Sequence, residues 1–473
     1  MPKEISADIC VVGGGSGGLM VAAGASQMGA EVVLLEGGKM GGDCLNYGCV
    51  PSKSLLAAAH TAYMVRSAGR FGITSVGTSI DFKRVHDHVH NVISTIAPND
   101  SVHRFEALGV RVIQDFGRFI GPTRLQAGNT IINAKRVVIS TGSSPNIPSI
   151  PGINDVPYLT NRTIFDKDTA PDHLIVIGGG SVGCEIGQAY CRLGCKVTLL
   201  EKLSLLGEDD PELSDIVRNQ MISEGLVIRE KVEVTRVDRI PGGVSVTVKK
   251  NAKKEQFIGS DLLVAAGRLP NLDRLDLEAA GVKYDKIGVT VDMRLRTTNK
   301  KVFAIGDAIG SLQFTHVASY HAGIVIRNAL FKLPAKVNYS AIPWVTYTAP
   351  ELAHVGMTES NARQTHGDIR ILRHPFSQND RAHAEHETNG FVKVITTGTG
   401  LIVGASIVGS HAGELIQSWI LPIQKKMKIK ALAGIVLPYP TLGEVSKRAA
   451  GSFYTPKLFS DKTKKLVRLL QRF

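Results

Sequence analysis

Cys44 and Cys49 are separated by four residues in the segment GGDCLNYGCVPSK, which runs from Gly41 to Lys53. Two thiols at that spacing in a Gly-rich loop can close into a disulfide and reopen, so the pair reads as a redox switch. Asp43 is expected to cap a helix starting near Cys44, whose peptide N–H groups would favour the reactive thiolate there. Its own negative charge would push the Cys44 thiol the other way, so the two effects oppose. The other cysteines read as small core residues, Cys10 on an apolar strand and Cys184, Cys191 and Cys195 near one helical face. His383 and His386 have the i, i+3 spacing of a ligand pair, but in the polar stretch RAHAEHE they read as solvated, and no resident metal site is expected.

The elements around the thiols say what could load and unload such a switch. DICVVGGGSGG, leading to a second strand that ends at Glu36, is followed much later by HLIVIGGGSVG, leading to one that ends at Glu201. Each unit is an apolar strand, a Gly turn, a helix and another strand, and two copies in register are far stronger evidence than one. Gly13, Gly15 and Gly18, then Gly178, Gly180 and Gly183, allow the tight turn, the close approach of a pyrophosphate and the packing of helix on strand. Each helix N-terminus is then an anion site, and Glu36 and Glu201 are placed to accept hydrogen bonds from ribose hydroxyls.

The CxxxxC pair followed by VPSK, together with the two fingerprints, resembles the pyridine nucleotide–disulfide oxidoreductases, most of all dihydrolipoamide dehydrogenase and mercuric reductase. The similarity runs from about residue 5 to about residue 455. It implies an α/β chain with two Rossmann-like dinucleotide-binding domains, for FAD and NAD, plus a C-terminal α+β dimerisation domain. The expected division is residues 1–150 for the first FAD segment, 151–271 for the NAD(P) domain, 272–340 for the second FAD segment and 341–473 for the dimerisation domain with a basic C-terminal helix.

The resemblance also implies roles. Cys49 is the thiol beside the flavin and Cys44 the interchange thiol that meets substrate, with Lys53 near the reactive edge of the flavin and Glu185 as its ion-pair partner. FAD is expected to contact Gly42, Thr141 and Gly142 in STGSS, Asp307 in VFAIGDA, and His316 and Ala318 at the start of a helix beginning at THVA. Gly267 and Arg268 lie in LLVAAGRLPN, the expected return from the NAD domain. Glu201 would repel a 2′-phosphate, and only Lys202 is near where NADP-using relatives carry an Arg pair, so NAD is favoured over NADP. VTYTAPELAHVGMTE, NDRA and YPTLGE resemble the dimerisation domain, and the family active site is completed across a homodimer.

One position departs from the dehydrogenase pattern. The His that shuttles protons to the interchange thiol is here Tyr439; Glu444 keeps its place, and the nearest preceding His is His411. An ordinary Tyr has a pKa of about 10, so it donates hydrogen bonds at neutral pH but is a poor base. Mercuric reductases also carry Tyr there, yet the chain ends VRLLQRF, without their terminal vicinal Cys pair. The expected activity is an FAD-dependent NAD(P)H:disulfide oxidoreductase of the dihydrolipoamide dehydrogenase type, acting on a small or lipoyl-type disulfide or dithiol. A mercuric-type metal-ion reductase, a membrane-peripheral quinone reductase and a non-catalytic FAD redox sensor stay open as alternatives.

The 473 residues carry a net charge of +13. No RNA-binding signature accompanies that charge, and no nucleic-acid partner is expected. No apolar run approaches the roughly 18 residues of a membrane span. Six cysteines in a chain of this length do not make a secreted disulfide scaffold, so a reducing cytoplasm is the expected compartment. Basic residues gather in QKKMKIK from Gln424 and in DKTKKLVRLLQRF from Asp461. In the second, Leu466, Leu469, Leu470 and Phe473 share one helical face and Lys465, Arg468 and Arg472 the other. A helix packed on its own dimer and a peripheral contact with anionic lipid are the two readings of that segment.

Overall fold

The strand Lys3–Val12 is the axis of a seven-stranded sheet in the computed structural model, which describes residues 2–75, 77, 79–251 and 253–473. Its apolar second half, Ile9 to Val12, is buried, as a strand covered on both faces must be. It runs parallel to Val32–Leu35 on one side and Thr130–Ile139 on the other, and Val110–Ile113 extends the sheet beyond Val32–Leu35. Thr130–Ile139 has a double role. Its first half pairs antiparallel with Arg124–Ala127, while Val137 to Ile139 pair parallel with Val302–Ala304. The chain therefore returns after residue 300 to complete the sheet it began at residue 3. Helix Ser16–Gln27 lies against helix Thr315–Ala329, where Gly17 allows the approach of Ala318: a Cβ at Gly17 would be 3.2 Å from that methyl.

A second sheet, wholly parallel, has the order Val227–Glu230, Lys196–Glu201, His173–Ile177, Asp261–Val264. Three antiparallel strands, Glu233–Ile240, Gly243–Lys250 and Lys253–Gly259, are attached to it. The chain enters and leaves this part through adjacent strands, Ser143–Pro145 and Arg268–Pro270, which pair antiparallel with Ser144 opposite Leu269.

The third part is a five-stranded antiparallel sheet in the order Pro343–Thr346, Glu351–Gly356, Ile402–Gly409, Phe391–Thr397, Ile369–Pro375. Helix Glu444–Ser452 covers it, and Trp419 is fully buried beneath with its indole N–H donating to Ser446 Oγ at 3.1 Å. The expected fold class is the one observed. Cys10, Cys184 and Cys195 are buried and Cys191 is half-buried.

An ionic cluster absent from the sequence reading ties this sheet to the second one. Lys393 Nζ is buried among Asp210 at 2.6 Å, Glu359 at 2.8 Å and Glu212 at 3.0 Å. A lysine so deep is tolerated only because three carboxylates surround it. The last helix, Asp461–Leu470, capped by Ser460, buries none of its residues.

Candidate active site

Gly41 and Gly42 both adopt positive φ, 85° and 59°, and turn the chain into the short helix Gly42–Tyr47. Gly41 is the cap and Asp43 lies inside the first turn, so the expectation that Asp43 caps this helix is corrected. The Asp43 carboxylate instead meets Arg268 Nη2 at 3.1 Å and accepts from Asn161 Nδ2 at 3.3 Å. A longer helix, Cys49–Arg66, begins at Cys49 itself. That thiol, rather than Cys44, therefore stands at the first turn of an 18-residue helix, where free N–H groups and the helix dipole favour negative charge. Helix Thr315–Ala329 also starts here, with Thr315 Oγ1 at 3.3 Å from Cys49 Sγ.

The electrostatics follow. Cys49 is brought down to about 6, chiefly by the hydrogen bond with the Cys44 thiol, with Thr315 and the Lys53 charge adding to it; burial and the Asp43 charge oppose. Cys44 moves far above the ordinary thiol range, because it is hydrogen-bonded to Cys49, is partly buried and faces the Cys49 charge. The opposing effects left open at Cys44 resolve toward the neutral thiol there: in the dithiol state the negative charge resides on Cys49. Asp43 acts as a weak brake on Cys49.

Lys53, one helical turn after Cys49, places Nζ at 2.7 Å from Glu185 Oε2 and 4.4 Å from the centre of the Tyr347 ring. Glu185 comes from helix Ser181–Arg192 of the second fingerprint and is almost fully buried. Its other oxygen accepts from the Tyr347 backbone N–H at 2.9 Å. One carboxylate thereby joins the thiol helix, the second Gly-loop helix and the C-terminal sheet. Tyr347 lies in the motif VTYTAPELAHVGMTE, but the sequence assigned it no part in the site.

The two Gly loops are built alike. Glu36 accepts from the N–H groups of Gly14 and Gly38, and Glu201 from those of Gly179 and Leu203, each at 2.6 Å. A Cβ at Gly13 or Gly178 would lie 2.4 Å from Ser140 O or 2.3 Å from Ala265 O, and one at Gly18 or Gly183 would lie 1.9 Å or 2.0 Å from the carbonyl of Gly13 or Gly178. The middle glycines differ. A Cβ at Gly180 would meet nothing within 4 Å, and one at Gly15 only Gly42 Cα at 3.7 Å. Backbone left open at the helix start is what a pyrophosphate requires. Thr141 Oγ1, buried without a hydrogen-bond partner, and Gly142, with φ 68° and open space beside it, adjoin the first loop. These features fit FAD at the first loop and a nicotinamide dinucleotide at the second.

Asp307 follows strand Val302–Ala304 and accepts from Ser143 Oγ at 2.5 Å. Burial raises its pKa, which the Ser143 bond and the Arg268 guanidinium oppose. Arg268, next to Gly267 in the return strand, donates to Ser143 through Nε at 2.7 Å and lies 3.8 Å from Asp307. Arg268 thus couples the thiol loop, through Asp43, to the returning FAD segment. His316 hydrogen-bonds to Pro343 O at 2.9 Å in the first turn of its helix, and Ala318 packs against Gly306.

Tyr439 lies apart from these groups within one chain. It is 68% exposed, and its hydroxyl donates to Asp380 Oδ2 at 2.7 Å. That bond and the Asp380 charge raise the Tyr439 pKa above its ordinary value. Glu444 opens helix Glu444–Ser452, and His411 lines a small surface cavity of about 280 Å³ with Thr441 and Gly443. Asp380 had no role in the sequence reading, although the NDRA motif that contains it was recognised. His383 and His386 are exposed, and among the described residues no group of three or more His, Cys, Asp or Glu is placed to hold a metal.

The sequence matches the family described as "Pyridine nucleotide-disulphide oxidoreductase" over residues 7–322 and the dimerisation domain of that family over residues 342–450. A mercuric reductase of Staphylococcus aureus is 33% identical over 449 residues, 94% of this chain and 82% of its own. A dihydrolipoyl dehydrogenase of Geobacillus stearothermophilus is 32% identical, with 94% of this chain and 96% of its own covered. Among solved structures, the Cu(II) complex of the HOCl-induced flavoprotein disulfide reductase RclA from Escherichia coli superposes with a TM-score of 0.84 at 26% identity, over 93% of this chain and 98% of that one. LpdA from Mycobacterium tuberculosis does so with a TM-score of 0.85 at 27% identity, over 95% and 99%.

Proposed function

The chain belongs to the pyridine nucleotide-disulphide oxidoreductase family, which uses FAD and NAD(P)H, and on that premise we propose that its Cys44–Cys49 pair reduces a thiophilic metal ion presented as a small thiol complex. The observation carrying this reading is the Tyr439–Asp380 bond. A hydroxyl already donated to a carboxylate, with its pKa raised, cannot withdraw a proton from an incoming dithiol near pH 7. Oxidation of dihydrolipoamide needs that withdrawal; capture of a soft cation by two sulfurs does not.

Bound FAD supplies a ring that takes hydride from the nicotinamide and delivers two electrons to the disulfide. The roles of the residues are then as follows. Glu36 and the loop Gly13, Gly15, Gly18 hold the adenosine and pyrophosphate of FAD, with Gly42, Thr141, Gly142, Asp307, His316 and Ala318 along the rest. Glu201, Gly178, Gly180 and Gly183 hold NADH, and the carboxylate of Glu201, fixed by two N–H groups, disfavours the 2′-phosphate of NADPH. Lys53, held by Glu185, places a positive charge at the reduced flavin, while Gly267 and Arg268 steady the crossing between the two sites. Cys49 carries the thiolate and Cys44 keeps its proton until substrate arrives. When the pair closes to a disulfide, its two electrons reduce one Hg(II) to Hg(0) and the Cys44 proton goes to solvent. Tyr439 and Glu444 of a second copy face the thiols in the homodimer that the dimerisation domain supports.

A disulfide acceptor is the second reading, favoured by the 32% identity to a dihydrolipoyl dehydrogenase and by Glu444 in its expected place. The FAD-loaded dimer should be assayed near pH 7 for NADH oxidation with Hg(II) in excess thiol, and for NAD reduction by dihydrolipoamide. Metal-dependent turnover well above the dithiol reaction is expected. Robust dihydrolipoamide oxidation with no metal-dependent NADH loss would replace the metal reading by the disulfide one.

A further inference from the structure

The first basic stretch packs beside Phe453, from which the chain runs on to the second. Ile429, flanked by the exposed Lys425, Lys426, Lys428 and Lys430, packs on Gly400 beside Phe453; a Cβ there would lie 3.3 Å from Ile429 and 3.2 Å from the Phe453 ring. Arg370 stacks on the Phe453 ring at 4.7 Å. From Phe453 the chain passes through the short helix Thr455–Leu458 into helix Asp461–Leu470. There Leu466, Leu469 and Leu470 are each more than half exposed on one side, with Phe473 exposed just past the helix end, and Lys464, Lys465 and Arg468 stand on the other. Among the described residues, the segment's one ion pair is Lys464 with Asp461 at 3.7 Å, so its positive charge is otherwise uncompensated.

We propose that this helix is a docking surface for anionic phospholipid bilayers. A helix with a basic face and an exposed Leu/Phe face lies in the bilayer interface, its apolar side chains below the headgroups and its cations among them. Spanning is excluded by length, since ten residues rise about 15 Å against a hydrocarbon core of about 30 Å. The basic face of the helix, on a chain of net +13, is the charge complement of an anionic surface, which commits the reading to lipid. The proposal concerns where the enzyme sits and does not depend on the acceptor used by Cys44 and Cys49.

The FAD-loaded full chain should be sedimented with vesicles of phosphatidylcholine alone and of phosphatidylcholine with phosphatidylglycerol. Binding to the mixed vesicles only, weakened by salt, is expected. The triple variant Lys464→Glu, Lys465→Glu, Arg468→Glu should lose about tenfold or more in partition, and Leu466→Asn with Leu470→Asn should weaken it too. All five side chains are at the surface, so NADH should still reduce the flavin in both variants, which reports intact folding. Equal partition to both vesicle types, or an unaffected triple variant, would overturn the proposal. So would loss of the dimer in the Leu variant without vesicle binding by the parent, which would mean the apolar face is buried between copies.

Discussion

Cys49 Sγ and Thr315 Oγ1 stand 3.3 Å apart although 266 positions separate them in the chain. Each is the first residue of a helix, so two helix starts and a hydroxyl converge on one sulfur. Replacing Thr315 by Val removes the hydroxyl and keeps the shape. A hydrogen bond to a charged group contributes about 1.5–3 kcal/mol, so the Cys49 pKa is expected to rise by about one unit or more. Titration of the thiolate ultraviolet absorbance in the reduced protein measures this. An unchanged midpoint would remove Thr315 from the account of Cys49.

The Cys44 thiol is the largest influence lowering Cys49. In Cys44→Ala the midpoint for alkylation of Cys49 by iodoacetamide should climb from about 6 toward the ordinary 9.0. The sign carries over to stability. A thiol with a depressed folded pKa stabilises the reduced protein fully above its unfolded pKa, and that gain is lost as pH falls through the folded one. Denaturation of the reduced protein relative to the oxidised one should therefore show falling relative stability between about pH 9 and pH 6. A flat difference across that window would mean Cys49 is not depressed.

Gly180 and Gly183 share one loop but should respond oppositely to Ala. At Gly183 the new methyl would lie 2.0 Å from the Gly178 carbonyl, so Gly183→Ala should destabilise by about 2 kcal/mol or more and lower the Tm. At Gly180 the methyl meets only open space, so the fold should change by about 1 kcal/mol or less while the KM for NADH rises several-fold. If Gly180→Ala leaves that KM unchanged, the nicotinamide dinucleotide does not approach this backbone.

Tyr439→His restores a base where a Tyr is engaged with Asp380. Dihydrolipoamide oxidation at neutral pH should rise by about tenfold or more. Tyr439→Phe, which only frees Asp380, should give no such gain. Steady-state NAD reduction distinguishes the two, and the absence of any gain in the His variant would mean that the pocket differs in more than this residue.

What could be read along the chain were contacts that repeat a local pattern. The two Gly loops, the acidic residues closing them and the strand returning at Val302 all follow from short apolar and glycine signatures. The ion pair of Lys53 with Glu185 joins residues of two such motifs and was accessible by resemblance. Asp43 was misplaced because the start of its helix is set by the positive φ of both Gly41 and Gly42, which puts the cap at Gly41, two residues ahead of the acidic side chain. Asp380 and Tyr347 lie in the legible segments NDRA and VTYTAPELAHVGMTE, but their contacts, like those of Lys393, were not readable for another reason. Their partners lie 59, 162 and up to 183 positions away, and only the assembled sheets bring them together.

The paired strands Ser143–Pro145 and Arg268–Pro270 carry a consequence for how such a chain could be altered. Paired strands lie about 4.8 Å apart, so the two ends of everything between them are near neighbours in space. The nucleotide-binding insert is therefore wired like a cartridge, with both leads in one socket. A homologous insert could be joined at these two strands, provided that it keeps the face of helix Ser181–Arg192 that packs on Leu55, Ala59 and Ala62 of the thiol helix. Swapping coenzyme preference by exchanging the whole unit then means matching the side chains that reach out of it, Glu185 to Lys53, Asn161 to Asp43, Gln188 to Ala349, and Asp210 and Glu212 to Lys393.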